Sequence, residues 1–437
     1  MASSPGYVAL LKSNAGFRNL WYGQVVSELG DWLNSIAIYM LVMQLGGGGM
    51  AMAITMMAKL MPVFFVSPLA GVLIDRIDRR AILIASDVLR FFVVLCFLMV
   101  DEPGELWLLY TLVVIEIALA GFFEPARSAL IPSLTQREEL VTANALSGST
   151  WSVMVAVGAA LGGVLVSWFG IQTAFIIDAF TFLISAAFIY RIPKAERPAR
   201  PHTEAQRGFF QDLKDAGSYL KQQPGILVLA LLKSGLALAG GVMTLIPLYS
   251  ARIYSAPEMV SMGIGIIYSG RGIGAALGPP LVRRLFGETS QVLRLAIAGA
   301  FFMGSGAYFM FSNSESLVMA TVSIGLATFF GSMIWVFSSA LIHLEAEDRF
   351  LGRIFSLEMA LLTLVMGLSN FGVGALVETL GWDLHSTAQA IALIFLLPGI
   401  GWSAFLVFVH RRFKRGECVG TVCPVEPSDA KVPPTSL

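Results

Sequence analysis

The chain has 437 residues, 56% of them hydrophobic and only 13% charged, with 30 Phe, 43 Gly and a mean hydropathy of +0.75. Soluble domains carry about 25% charged residues, so this chain lacks a polar coat for a water-soluble body of its size. That excludes a cytosolic enzyme, a nucleic-acid binder and a disordered chain. The 29 basic and 29 acidic residues cancel, and their placement says more than their sum.

The first seventeen residues, MASSPGYVALLKSNAGF, have no basic stretch followed by a long apolar core and a small-residue cleavage site. No cleaved signal peptide is expected. A bilayer-crossing helix needs about 20 mainly apolar residues, and twelve such runs follow. They lie near 18–44, 50–74, 81–100, 106–130, 142–167, 171–190, 225–249, 258–282, 292–311, 317–342, 354–378 and 386–410. Connections are short except for RIPKAERPARPHTEAQ and the GFFQDLKDAGSYLKQQP that follows soon after, a basic linker leading into a short amphipathic helix. The expected organisation is a first bundle over 1–190, a central loop over 191–224, a second bundle over 225–410 and a disordered tail over 411–437. The fold class is all-α integral membrane, with twelve transmembrane helices in two pseudo-symmetric six-helix bundles.

Basic residues in short loops mark the cytoplasmic side. The connections 45–49, 101–105, 168–170, 250–257, 312–316 and 379–385 hold one basic residue, Arg252, and most of the others sit in the opposite connections and the tails. Both termini are therefore expected in the cytoplasm of a multi-pass protein of the cytoplasmic membrane. Trp107, Trp168 and Trp382 near the outer span ends fit an interfacial aromatic belt. The halves also echo each other: Ser128-Ala129-Leu130-Ile131 closes the fourth span, and Ser339-Ala340-Leu341-Ile342 closes the tenth. A half-length repeat in a twelve-span chain is what duplicated transporter bundles show.

Enzyme chemistry finds little support. There is no HExxH or GxSxG, the lone pair Cys418 and Cys423 lacks further zinc ligands, and His202, His343, His385 and His410 lie in loops or at span ends. No metal and no organic cofactor is expected.

An ionisable side chain inside hydrocarbon costs at least about 2.5–3.5 kcal/mol, so each one asks for a reason. The first span carries Gln24, Ser27, Glu28, Asp31, Asn34 and Ser35 at spacings of three and four, one polar stripe along the helix. At about 1.5 Å per residue, Glu28 and Asp31 lie roughly 15–20 Å deep, near the midplane, and Lys59 and Glu116 reach a similar level. Such a cluster suits a proton-coupling or substrate-contact site, with Asp178 in the sixth span as a further candidate. The structural alternative is a static Lys59–Asp31 or Lys59–Glu116 pair. In the second half, Arg271 and Glu358 are candidates to pair, with Lys233 also inside a span. Ser332, Trp335 and Ser339 offer a cavity face suited to a lipophilic substrate. Gly158 and Gly162, and Gly270, Gly274 and Gly278, are expected at close helix contacts.

The turn after the second span reads Gly71-Val72-Leu73-Ile74-Asp75-Arg76-Ile77-Asp78-Arg79-Arg80. It resembles the G-x-L-a-D-R-x-x-R-[RK] signature between spans 2 and 3 of the major facilitator superfamily. GQVVSELGDWLNSIAI, FFEPARSALIPSL and LGRIFSLEMA look like the macrolide-efflux and bacilysin-exporter branch of its drug:proton antiporters, a likeness running from about residue 16 to 410. The resemblance implies an exporter of small amphipathic compounds driven by the proton gradient, working as a monomer. By position it makes Gly71, Asp75, Arg76 and Arg80 an inner-gate motif, Asp87, Arg90, Glu124 and Arg127 its cytoplasmic network, and Asp31 the helix 1 acid. Helix 4 shows Glu116 where many proton-coupled antiporters carry an arginine, and the helix 5 motif keeps Gly158 and Gly162-Gly163 without its usual proline. The rival readings are nutrient uptake by symport and, more remotely, a membrane receptor or enzyme.

Overall fold

The computed structural model describes residues 6–193 and 217–414. Most of the central loop and the tail past 414 lie outside the described residues, as do the expectations placed on them. A short helix, Tyr7–Ser13, leads in. Twelve long apolar helices follow. The first six are α1 (Ala15–Gln44), α2 (Gly49–Arg76), α3 (Arg79–Cys96), α4 (Leu106–Leu134), α5 (Leu140–Phe169) and α6 (Ile171–Tyr190). The second six are α7 (Pro224–Ile253), α8 (Pro257–Phe286), α9 (Ser290–Ser312), α10 (Leu317–Glu345), α11 (Asp348–Gly374, continued by a π-turn over Ala375–Thr379) and α12 (Leu384–Lys414).

In lipid every backbone polar group must be satisfied within the protein, which is why spans are helical. Where one breaks, side chains compensate. A 3-10 turn at Leu238–Gly241 interrupts α7, and Ser369 of α11 repairs it, accepting from the Gly241 amide at 2.9 Å and donating to the Leu238 carbonyl at 2.6 Å. Between spans, Gly170 (φ 82°) and Gly287 (φ 86°) take the left-handed conformation that turns the chain back on itself.

The packing repeats with a period of six helices. In the first bundle α1 packs on α5 and α6, α2 on α4, and α3 on α4 and α6; in the second α7 packs on α11 and α12, α8 on α10, and α9 on α10 and α12. The bundles meet along α5–α8 and α2–α11, which are the same pairing exchanged between halves. Small residues set these distances. A Cβ on Gly274 or Gly278 would collide with α10 backbone at Gly325 and Phe329, and one on Gly163 would stand 2.8 Å from the Ser261 carbonyl across the bundle boundary. Gly158 and Gly162 likewise lie against Trp32, Leu33 and Ile36 of α1, as close helix packing requires.

The glycine contacts between bundles lie at the middle and in the far halves of these helices, away from the chain termini. Ala156 meets Gly272, Gly163 meets Gly265, Met61 meets Gly367, and Ala53 meets Gly374. Among the described residues the bundles are therefore closed on each other at the far end. Just before α7, residues 217–222 are helical, with Leu220 buried and Tyr219 stacked on Phe350 of α11 at 4.2 Å.

Candidate functional site

The polar stripe of α1 faces the other helices of its bundle. Asp31 forms an ion pair with Arg90 of α3, whose guanidinium also lies 3.9 Å from the Phe182 ring centroid. The Asp31 side chain is 37% exposed and that of Arg90 3%, so the acid is accessible while its partner is not. One turn further on, Asn34 donates to Glu116 at 2.8 Å, and Lys59 donates to the Ser35 hydroxyl at 2.9 Å. The static pairs of Lys59 with Asp31 or Glu116 expected as the alternative are not formed, because each carboxylate has a closer donor on a neighbouring helix.

Asp178 sits in the same layer and is fully buried, 3.3 Å from the Thr181 hydroxyl. Gly30 of α1 makes room for both, since a Cβ there would run into Asp178 and Thr181. Second carboxylate oxygens of Glu28, Glu116 and Asp178 are buried without a hydrogen-bond partner. Asp31, Glu116 and Asp178 thus share a layer with Arg90 and Lys59, Glu28 follows one turn toward the terminal end, and unsatisfied oxygens of this kind are where a proton or a ligand donor is accommodated.

Toward the terminal end the stripe continues as a chain of hydrogen bonds. Gln24 donates to Glu28 at 2.8 Å and to the Ser147 carbonyl at 3.0 Å, Arg127 donates to Gln24 at 2.8 Å, and Arg127 pairs with Glu124 at 2.6 Å. The expected cytoplasmic network is therefore split. Glu124 and Arg127 are joined as anticipated, but Arg90 belongs to the Asp31 layer, and Asp87 is buried beside it with both oxygens unsatisfied. The reason is geometric: Arg90 lies two thirds along α3, and its long side chain reaches α1 at mid-depth. Of the gate motif, Arg80 donates to the Tyr190 carbonyl and lies over the Tyr190 ring, and Arg79 holds the Ala129 carbonyl at 2.7 Å. Arg76 ends α2. Gly71 and Asp75 lie within α2, their side-chain surroundings outside the described residues.

In the second bundle the expected Arg271–Glu358 pair is replaced. Glu358 binds Lys233 at 2.7 Å, and Lys233 also donates to Ser339 at 2.8 Å and lies 4.6 Å from the Trp335 ring centroid. Glu358 points into its own bundle, where α7 supplies the cation, whereas Arg271 on α8 stands beside Tyr268, 5.9 Å from the ring centroid. Sequence reasoning missed the partners rather than the acids. Asp87 and Arg90 are three apart on one face of α3, which was the available signal that both face inward.

The Major Facilitator Superfamily profile matches residues 20–370. Macrolide efflux protein A of Streptococcus pyogenes is 24% identical over 406 residues, 88% of this chain and 95% of that one. The putative bacilysin exporter BacE of Bacillus subtilis is 27% identical over 372 residues, 82% of this chain and 88% of that one. A crystal structure of the nucleoside transporter NupG superposes with a TM-score of 0.67 at 14% identity, covering 90% of this chain and 99% of that one, a likeness of fold. With twelve spans, six-helix periodicity and a profile match over most of its length, the chain belongs to the major facilitator superfamily of membrane transporters.

Proposed function

We propose that this transporter exports small amphipathic compounds, such as an antibiotic, peptide or siderophore-like metabolite, across the cytoplasmic membrane in exchange for protons. It works by alternating access as a monomer, with the proton gradient as its energy source and both termini in the cytoplasm. The observation that carries the reading is the Asp31–Arg90 pair: a partly exposed carboxylate held at mid-membrane by a buried cation. Protonating Asp31 removes the charge that holds Arg90, so the pair breaks and remakes as the proton comes and goes. Glu28 and Glu116, each with a free buried oxygen, are the next groups in line for that proton. Two relatives named as exporters support the outward direction.

The test is efflux by everted membrane vesicles with Asp31→Asn. Uncoupler-sensitive transport is expected to vanish while the variant inserts and purifies like the parent. Transport that stays uncoupler-sensitive in Asp31→Asn would remove Asp31 from the coupling step.

A further inference from the structure

Arg271 lies midway along α8, Pro257–Phe286, where an arginine is expensive unless something answers its charge. The other mid-span cations are answered: Arg90 by Asp31, Arg127 by Glu124, Lys233 by Glu358, and Lys59 by the Ser35 hydroxyl. Among the described residues no carboxylate comes within ion-pair range of Arg271 and no hydrogen bond to its guanidinium is formed. The side chain is half-buried, with an aromatic neighbour one turn back, Tyr268.

That neighbour lies on the boundary between the bundles. The Tyr268 ring packs across the bundle boundary on two rings of α1, 5.3 Å from Trp32 and 6.1 Å from Tyr39, with the Tyr39 ring within 22° of parallel. The Tyr268 hydroxyl is buried and has no hydrogen-bond partner. The backbone here is pinned from both sides, because Gly270 lies on Thr321 of α10 and Gly272 on Ala156 of α5. A half-buried guanidinium, the Tyr268 hydroxyl and three rings thus lie together where the two bundles meet.

We propose that Arg271, Tyr268, Trp32 and Tyr39 form a binding site for an amphipathic organic anion. The Tyr268 and Tyr39 rings are buried on each other in this state, so the site opens as the bundles part: the oxyanion then sits on the Arg271 guanidinium and the Tyr268 hydroxyl, and the apolar body lies against the rings. The guanidinium fork matches an oxyanion with two parallel hydrogen bonds, and the rings supply large apolar area at little entropic cost. On the first bundle the Asp31 carboxylate already has its cation in Arg90, so Arg271 is the charge left for an incoming anion. This reading rests on the transport function proposed above and names its substrate class.

The test uses purified full-length protein in nanodiscs and three probes with one aromatic body: 2-naphthylacetate, its neutral amide, and 2-(2-naphthyl)ethylamine. The acid is expected to raise the thermal unfolding midpoint in a dose-dependent way, and the amide and amine are not. Arg271→Gln should weaken the apparent affinity for the acid roughly tenfold or more, by loss of a charged hydrogen bond. Arg271→Lys should retain part of it, and Tyr268→Phe should lose less than Arg271→Gln. If Arg271→Gln does not fold, Arg271→Lys and Tyr268→Phe still decide, since both should bind the acid more weakly than the parent. An equal response to all three probes, or acid binding unchanged by every one of these substitutions, overturns the site. Failure here with uncoupler-sensitive efflux intact removes the anion site alone, and acid binding that persists while efflux ignores the uncoupler removes proton coupling alone.

Discussion

The Glu378 carboxylate accepts a hydrogen bond from the Met50 amide at 2.7 Å, joining the end of α11 to the start of α2 across the boundary between bundles. The Met50 amide is one of the first-turn donors a helix leaves without a partner of its own. Gly48 keeps the approach open, since a Cβ there would stand 2.7 Å from the Glu378 carboxylate. One bundle therefore caps a helix of the other, and under the alternating access proposed above the cap breaks when the far end opens.

Glu378→Ala should weaken that closure. An exposed carboxylate at a helix N-terminus contributes about 1 kcal/mol, so amide exchange in the first turn of α2 should speed up on the order of fivefold in hydrogen–deuterium exchange. Unchanged exchange at that turn, with the rest of the protein also unchanged, would show that the contact carries no weight in holding the far end closed.

The Lys233–Glu358 pair makes a different prediction, because both side chains are buried at 3% and 0% exposure. Removing one partner strands the other, at a cost of about 3–5 kcal/mol, whereas replacing both with apolar side chains is often neutral. Glu358→Leu and Lys233→Met should each lower the thermal unfolding midpoint in detergent, and the double variant should recover most of the loss. A double variant as unstable as the worse single one would mean that the pair serves something other than mutual compensation.

Much of this is legible without the structure. Hydrocarbon length fixes where spans begin and end to within a few residues, and the expense of a buried charge singles out Glu28, Asp31, Lys59 and Glu116. Partnerships are not legible. Depth along a helix follows from rise per residue, but which neighbour a side chain meets depends on how each helix is rotated in the bundle, and rotation is set by contacts such as Gly30 on Asp178 or Gly274 on Gly325. Sequence reading alone therefore puts Arg90 too near the membrane surface and gives Arg271 a partner it lacks. Lys233, placed inside a span without a role, is the group that meets Glu358.

The glycines of α5 and α8 separate packing within a bundle from packing between bundles, and this yields a final prediction. Gly274 faces α10 inside the second bundle, where a Cβ would meet the Gly325 carbonyl; Gly163 faces α8 across the boundary, where a Cβ would meet the Ser261 carbonyl at 2.8 Å and the Gly265 Cα at 3.2 Å. Under the alternating access proposed above, the first contact persists through the cycle. The second is then lost when the far end opens. Forcing a branched side chain into a packed seam costs about 1–3 kcal/mol, but the cost falls on different equilibria. Gly274→Val should lower the unfolding midpoint and the yield of monodisperse protein. Gly163→Val should leave both near the parent values and wedge the bundles apart at the far end. A cysteine at Ser261, buried in the parent, should then become reactive to a membrane-impermeant maleimide. Should Gly163→Val lose stability as Gly274→Val does, with Ser261→Cys still protected, the α5–α8 seam is part of a fixed core and the bundles hinge somewhere else.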